Sequence, residues 1–91
     1  MANVIITMKI MPESPETDLE ALKEKAKKMI ADFGGEVGKE EIEPVAFGLK
    51  AINLIFVSDE NKGSTEELEK QVSDIEEVTS VEITDVRRAV G

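Results

Sequence analysis

The sequence predicts an α+β fold in which four antiparallel strands form one sheet and two helices cover one of its faces. Segments with alternating apolar residues and segments with helical apolar spacing follow one another in the order β-α-β-β-α-β. The connection between the second and third strands is short, which favours a hairpin, and right-handed crossovers carry both helices to the same side. With 91 residues the chain has room for one core, so we expect residues 1–91 to form a single domain.

The first strand and the first helix are predicted at residues 4–11 and at about residues 18–33. The strand is rich in β-branched side chains, and a proline ends it. Alternation places three apolar side chains on one of its faces: Ile6, Met8 and Ile10. Apolar residues then recur at helical spacing. Thr17 and Glu20 form a capping-box pattern at the start of the helix, and Gly34 fits the left-handed position just past its end.

The second strand is the least regular element. Residues 35–44 are rich in glutamate, and the chain becomes apolar at residues 45–47. Three of the acidic residues are unfavourable in a central strand: Glu40, Glu41 and Glu43. We therefore expect this strand at an edge of the sheet, where charged side chains reach solvent. Residues 47–49 join it to the third strand, residues 50–57, which is apolar on both faces and is predicted to lie centrally.

The second helix and the last strand complete the pattern. Ser64 and Glu67 repeat the capping-box spacing at the start of the helix. The apolar stripe of this helix is narrow: Leu68, Val72 and Ile75. Residues 78–86 alternate again and form the last strand. This order and sheet are those of the ferredoxin-like fold.

Composition limits the chemistry that the chain can perform. It contains neither cysteine nor histidine, which excludes disulfides, thiolate nucleophiles, zinc–thiolate sites and imidazole ligands or bases. The general acids and bases that remain are carboxylates and lysines. We therefore expect no catalytic residues, no metal site, no cofactor and no bond-breaking chemistry.

Charge and hydropathy limit the partners. The net charge is −9, which repels a phosphate backbone, so nucleic acid is disfavoured and a partner with a basic patch is favoured. No apolar run approaches the roughly 18–20 residues of a spanning helix, and no signal-peptide pattern opens the chain. We expect a cytoplasmic protein that does not associate with membranes.

Two short segments carry the candidate functional residues. Phe47, one of three aromatic residues, precedes Gly48 at a strand end. It is either a core residue or an aromatic knob at a hairpin tip, where the glycine would permit close approach of another backbone. Arg87 and Arg88 directly follow the last predicted strand. They are either solvent-facing residues or a local cationic site suited to carboxylate or phosphate.

Four stretches of the sequence resemble the translation elongation factor 1-beta family, in particular its short archaeal members, which consist of the catalytic domain alone. These stretches are ITMKIMP at 6–12, TDL at 17–19, PVAFGLK at 44–50 and TDVRR at 84–88, and the third is the most specific. The resemblance implies a ferredoxin-like fold. It also implies guanine-nucleotide exchange on elongation factor 1-alpha, the GTPase that carries aminoacyl-tRNA to the ribosome.

The same resemblance implies roles for individual residues. Phe47 matches the family's aromatic residue that enters a pocket between helices of the GTPase domain, and Lys50 matches a basic position of the same hairpin. The family's C-terminal strand approaches the magnesium site of the nucleotide, where eukaryotic members carry a lysine. No lysine follows Lys70 here, so Arg87 or Arg88 would take the cationic role. The expected partner-binding residues are Phe47, Gly48, Lys50, Arg87 and Arg88.

Two other functions remain open from the residues alone. One is a small-ligand or metal-regulated binding domain that oligomerises through its edge strands. The other is an RNA-binding sandwich, which the negative charge and the lack of an aromatic-rich strand disfavour. An exposed Phe47 at the hairpin tip would favour the exchange factor, and a buried Phe47 would favour the ligand-binding domain.

Overall fold

The computed structural model describes residues 3–59 and 65–89 of the chain. Its elements occur in the predicted order, with one additional 3-10 turn before the third strand. They are β1 (Asn3–Pro12), α1 (Leu19–Phe33), β2 (Glu36–Pro44), the 3-10 turn (Ala46–Gly48), β3 (Lys50–Asp59), α2 (Glu66–Ser73) and β4 (Val78–Ala89).

The four strands form one antiparallel sheet in the order β2-β3-β1-β4. β3 therefore lies between β2 and β1, and β2 forms an edge, as the sequence predicts. The glutamates of β2 are tolerated because an edge strand needs only one partner for its backbone, and its side chains remain accessible to solvent and to lysines.

The core lies between the sheet and the two helices. The alternating residues of β1 and β3 are buried on one face, where both helices pack against them. The core residues of the two central strands are Ile6, Met8, Ile10, Ile52, Leu54 and Phe56, and those of the helices are Leu22, Ala26, Ile30, Leu68 and Val72. We call this side of the sheet the helix face and the opposite side the open face. The predicted ferredoxin-like fold is confirmed.

The start of α1 differs from the predicted capping box. Asp18, not Thr17, is the N-cap residue, and its Oδ1 atom accepts hydrogen bonds from the backbone N–H groups of Glu20 and Ala21 at 3.1 and 3.2 Å. The Thr17 backbone N–H donates a hydrogen bond to the Ser14 carbonyl oxygen in the preceding turn, at 3.2 Å. A carboxylate also interacts favourably with the positive end of the helix dipole, which explains why the cap lies one residue later. The predicted Ser64 cap of α2 lies outside the described residues.

The connection between β2 and β3 is longer than predicted, because it spans residues 45–49 instead of residues 47–49. Residues 45–47 do not extend β2, which ends at Pro44 opposite Lys50. The Val45 N–H donates to the Leu49 carbonyl at 2.7 Å, and Gly48 has a positive φ of 77°. The chain therefore reverses over residues 45–49 because only glycine adopts this backbone conformation without strain.

The last strand is longer than predicted and is irregular. β4 continues to Ala89, so Arg87 and Arg88 lie within the strand, opposite Ile5 and Val4, and do not follow it. The strand lengthens because β1 begins at Asn3 and supplies backbone partners for these residues. The register with β1 shifts between Thr7 and Met8, which marks a β-bulge.

Gly35 allows the end of α1 to approach β3 closely. Gly34 ends the helix with a φ of 106°, as predicted, and the chain turns at once into β2. A Cβ atom at Gly35 would lie 2.9 Å from Ile30 Cγ2 and 3.0 Å from the Phe56 ring. Both neighbours are fully buried, so neither can move away freely.

We predict that Gly35→Ala lowers the free energy of unfolding by about 1–3 kcal/mol, the usual cost of overpacking a core. The melting temperature of a domain of this size should fall by about 4–8 °C per kcal/mol. Gly38→Ala is the matched control, because a Cβ atom there meets only the Ile55 carbonyl oxygen at 4.0 Å. Equal melting temperatures for the two variants, measured by circular dichroism, would contradict the close-packing argument.

Candidate functional site

The hairpin tip presents the first group of candidate residues. The backbone of Phe47 lies in the 3-10 turn, whereas its side chain lies outside the described part of the structure, so the distinction between an exposed and a buried Phe47 stays a prediction. Gly48 is exposed, and a Cβ atom built on it would lie 4.0 Å from Pro15. The tip therefore adjoins the turn between β1 and α1.

Lys50 is the cation nearest to this tip in the chain. It is exposed at the first position of β3, opposite Pro44. Within residues 3–59 and 65–89, its ammonium group forms no salt bridge. The ammonium group is therefore available to an acidic partner.

The two arginines of β4 point to opposite faces of the sheet. Arg87 pairs with Ile5 and lies on the open face, whereas Arg88 pairs with Val4, which packs against the core on the helix face. Directly opposed residues of antiparallel strands share a face, so this assignment follows from the register. Arg87 Nε donates a hydrogen bond to Asp85 Oδ2 at 2.8 Å, and its side chain is 76% exposed.

The structure does not bring the two groups of candidates together. Arg87 lies in register with Ile5 and, through it, with Val57 of β3, whereas Lys50 begins that strand seven residues earlier. At a rise of about 3.3 Å per residue and with two interstrand spacings of about 4.8 Å, Arg87 is roughly 25 Å from the base of the hairpin. The candidate site thus has two separate ends.

An ion cluster attaches the hairpin strand β2 to α1. Glu40 lies on the helix face of β2, and its carboxylate oxygens are 2.9 Å from Lys23 Nζ and 3.0 Å from Lys27 Nζ. Hydrogen bonds from Lys23, and then from Lys27, lower the pKa of the Glu40 carboxyl. The hydrogen bond to Glu40, followed by the one to Glu20, raises the pKa of Lys23. These bonds orient β2 against the helix and, with it, the hairpin tip.

A second polar group lies on the open face at the base of the hairpin. Asn53 Nδ2 donates to Glu43 Oε1 at 3.3 Å, and Lys9 Nζ lies 3.5 Å from the same oxygen. The hydrogen bond from Asn53, and then the charge of Lys9, lower the pKa of the Glu43 carboxyl. β1, β2 and β3 are therefore linked across this face as well as through their backbones.

Among residues 3–59 and 65–89, no three acidic side chains are placed to hold a metal ion together. Neither α1 nor α2 has the length and apolar character of a membrane-spanning helix.

Comparison with known proteins identifies the family. The model of the EF-1 guanine nucleotide exchange domain matches residues 5–89. The chain belongs to this family. Proteins named Elongation factor 1-beta from Methanothermobacter thermautotrophicus, Methanobrevibacter smithii and Staphylothermus marinus are 48%, 50% and 46% identical to it. Each alignment covers 97% of this chain and 98% of the relative. The resemblance seen in the sequence is confirmed.

Sequence reasoning missed two features of these ends. It identified the arginines but not Asp85, although two residues that are two positions apart on a strand share a face and can pair. It also treated Glu40 only as a solvated edge residue. The helical spacing of Lys23 and Lys27 could have indicated a basic patch on α1, but its partner depends on the strand register.

We predict that Glu40→Gln lowers the melting temperature at pH 7 more than Glu41→Gln does. Glu41 is the control because it has the same charge, lies next in the chain and, among the described residues, forms a salt bridge with Lys39 alone, at 3.3 Å. The folded-state pKa of Glu40 is depressed, so its stabilising effect is present above the unfolded pKa of about 4.3 and is lost as the pH falls through the folded value.

The melting curves of the parent and of Glu40→Gln should accordingly converge as the pH falls below about 5. A constant difference over this range would show that the carboxylate charge of Glu40 does not stabilise the α1–β2 contact.

Proposed function

We propose that this chain is a guanine-nucleotide exchange factor that promotes GDP release from translation elongation factor 1-alpha, so that GTP can rebind during protein synthesis. The supporting observation is the family match over residues 5–89, which includes both ends of the candidate site. Relatives that are 48–50% identical over nearly the whole chain bear the name Elongation factor 1-beta.

Nucleotide exchange requires only that the factor binds two states of the GTPase with different affinities. A GTPase holds GDP and magnesium through many charge-assisted contacts, so spontaneous release is slow. A factor accelerates release when it binds the nucleotide-free form more tightly than the GDP-bound form, and this difference in affinity sets the extent of promotion. The chain would act in this way without breaking a bond and without a metal or cofactor of its own, in keeping with the absence of cysteine and histidine.

We assign the two ends of the sheet to two regions of the GTPase. At the hairpin tip, Phe47 would enter an apolar pocket, Gly48 would allow the partner's backbone to approach, and the exposed Lys50 would pair with an acidic group. At the other end, an arginine of β4 would compete with the magnesium ion for its anionic surroundings. Since the ends are roughly 25 Å apart along a continuous sheet, the partner must present two regions at this spacing.

We further propose that residues 1–91 act as one domain in the cytoplasm, with neither nucleic acid nor membrane as a direct partner. The net charge of −9 supports this proposal because it repels phosphate backbones and anionic lipid surfaces.

The direct test is release of fluorescent GDP from an archaeal elongation factor 1-alpha, with and without this protein. The chain contains neither tryptophan nor tyrosine, so protein fluorescence excited near 295 nm would report on the GTPase alone. We expect acceleration at substoichiometric amounts. If a cognate GTPase releases GDP at its spontaneous rate, the proposal is wrong, and a ligand-binding role gains support.

We predict that Phe47→Ala slows exchange at least tenfold, since truncating a central aromatic anchor costs 2 kcal/mol or more, while the fold stays intact. Phe33→Ala is the matched control. Phe33 packs against the core at the end of α1, so its loss should lower the melting temperature and leave exchange unchanged at a temperature where the variant is folded. If Phe47→Ala exchanges as fast as the parent, the hairpin does not act through this side chain.

A further inference from the structure

The β-bulge in β4 decides which arginine reaches the open face. Met8 pairs with Ile83 and Thr7 pairs with Asp85, so Thr84 is the additional residue. The Thr84 hydroxyl lies 3.5 Å from the Thr7 carbonyl oxygen. A β-bulge inserts one residue and thereby reverses the alternation of all residues beyond it.

Without the extra residue, the last part of β4 would face the wrong way. A regular ladder would place Thr84 opposite Thr7, and every later residue would then change sides. Asp85 would lie opposite the buried Ile6 on the helix face, and Arg87 would lie beside the apolar Val4. The bulge instead puts Asp85 and Arg87 on the open face together.

Asp85 then fixes the orientation of the Arg87 guanidinium. The bond uses Nε, the innermost nitrogen of the guanidinium, at a length typical of charge-assisted hydrogen bonds. Over the described residues, the two terminal nitrogens of Arg87 make no hydrogen bond or ion pair. On this exposed side chain they form a pair of donors with the spacing that suits a two-oxygen anion.

We propose that Asp85 is a positioning residue for Arg87, and that Arg87 is the arginine that this end of the sheet presents to a carboxylate of the GTPase. The inference rests on the proposed function. Holding a long side chain in place before binding lowers the entropy lost in the complex. The acceptor is a carboxylate of the partner because a contact that promotes release must persist in the nucleotide-free complex, after the phosphates have left.

The test compares the exchange rates of six proteins of 91 residues, with Asp85→Glu as a seventh that tests rescue. These are the parent, Asp85→Asn, Arg87→Gln, the double variant Asp85→Asn/Arg87→Gln, Arg88→Gln and Glu82→Gln. Glu82→Gln is the control for Asp85→Asn, because it removes the same charge from the open face of the same strand, where Glu82 lies opposite Lys9. Melting curves establish that each variant is folded at the assay temperature.

We expect Asp85→Asn to slow exchange about twofold to tenfold, the range associated with immobilising one flexible side chain. The double variant should be no slower than Arg87→Gln alone, because Asp85 acts only through Arg87. Asp85→Glu should recover most of the lost rate by restoring a carboxylate. Glu82→Gln should differ from the parent by less than Asp85→Asn does.

Three results would overturn the inference. They are exchange by Asp85→Asn at the parental rate or faster, a slowing by Asp85→Asn that persists undiminished in the Arg87→Gln background, and slower exchange by Arg88→Gln than by Arg87→Gln. The affinity of Asp85→Asn for the nucleotide-free GTPase should also be lower than that of the parent. If its affinity falls only for the GDP-bound GTPase, the acceptor of Arg87 is a phosphate and not a carboxylate of the partner. An inactive parent would instead reject the proposed function itself.

Discussion

The pairing of β1 with β3 is the interaction on which the rest of the structure depends. Ile6, Met8 and Ile10 lie directly opposite Phe56, Leu54 and Ile52, and together these residues form the apolar surface that both helices cover. A slip of one residue would turn the whole set toward solvent, so burial determines the register. The positions of β2 and β4 follow, because each pairs with one of these two central strands. The core thus determines the positions of both ends of the proposed interface, although neither end is part of it.

Features that follow from the periodic spacing of apolar residues were predictable from the sequence. The alternation in β1 and β3 and the helical spacing in α1 each bury one face, and they led to the correct element order, sheet edge and helix layer. Features that depend on competition among neighbouring polar groups were not. Thr17 and Asp18 both have side-chain oxygens suited to an N-cap, and Asp18 takes this position, where its carboxylate also interacts favourably with the helix dipole. Residues 45–47 are apolar enough for a strand, yet the hairpin closes there because Gly48 adopts a positive φ.

The residue types of the candidate site were also visible in the sequence, but its geometry was not. The rarity of aromatics pointed to Phe47, and the sign of the net charge drew attention to Arg87 and Arg88. Which arginine faces which side depends on the bulge at Thr84, and a bulge leaves no regular signature in a single sequence. The distance between the hairpin and the arginines likewise follows only from strand order and register. In this fold, local pattern determines what each segment becomes, and the sheet determines where its side chains point.

The length of β3 sets the distance between the two ends of the proposed interface, because this strand runs from the hairpin to the level of Arg87. Because the rise per residue is nearly constant in a strand, adding or removing two residues between Lys50 and Val57 would change the spacing by about 6.6 Å and keep every side chain on its face. A change of one residue would preserve most of the span but exchange the two faces. Under the proposed function, the number of residues in this strand therefore sets the spacing between the two contacts on the GTPase.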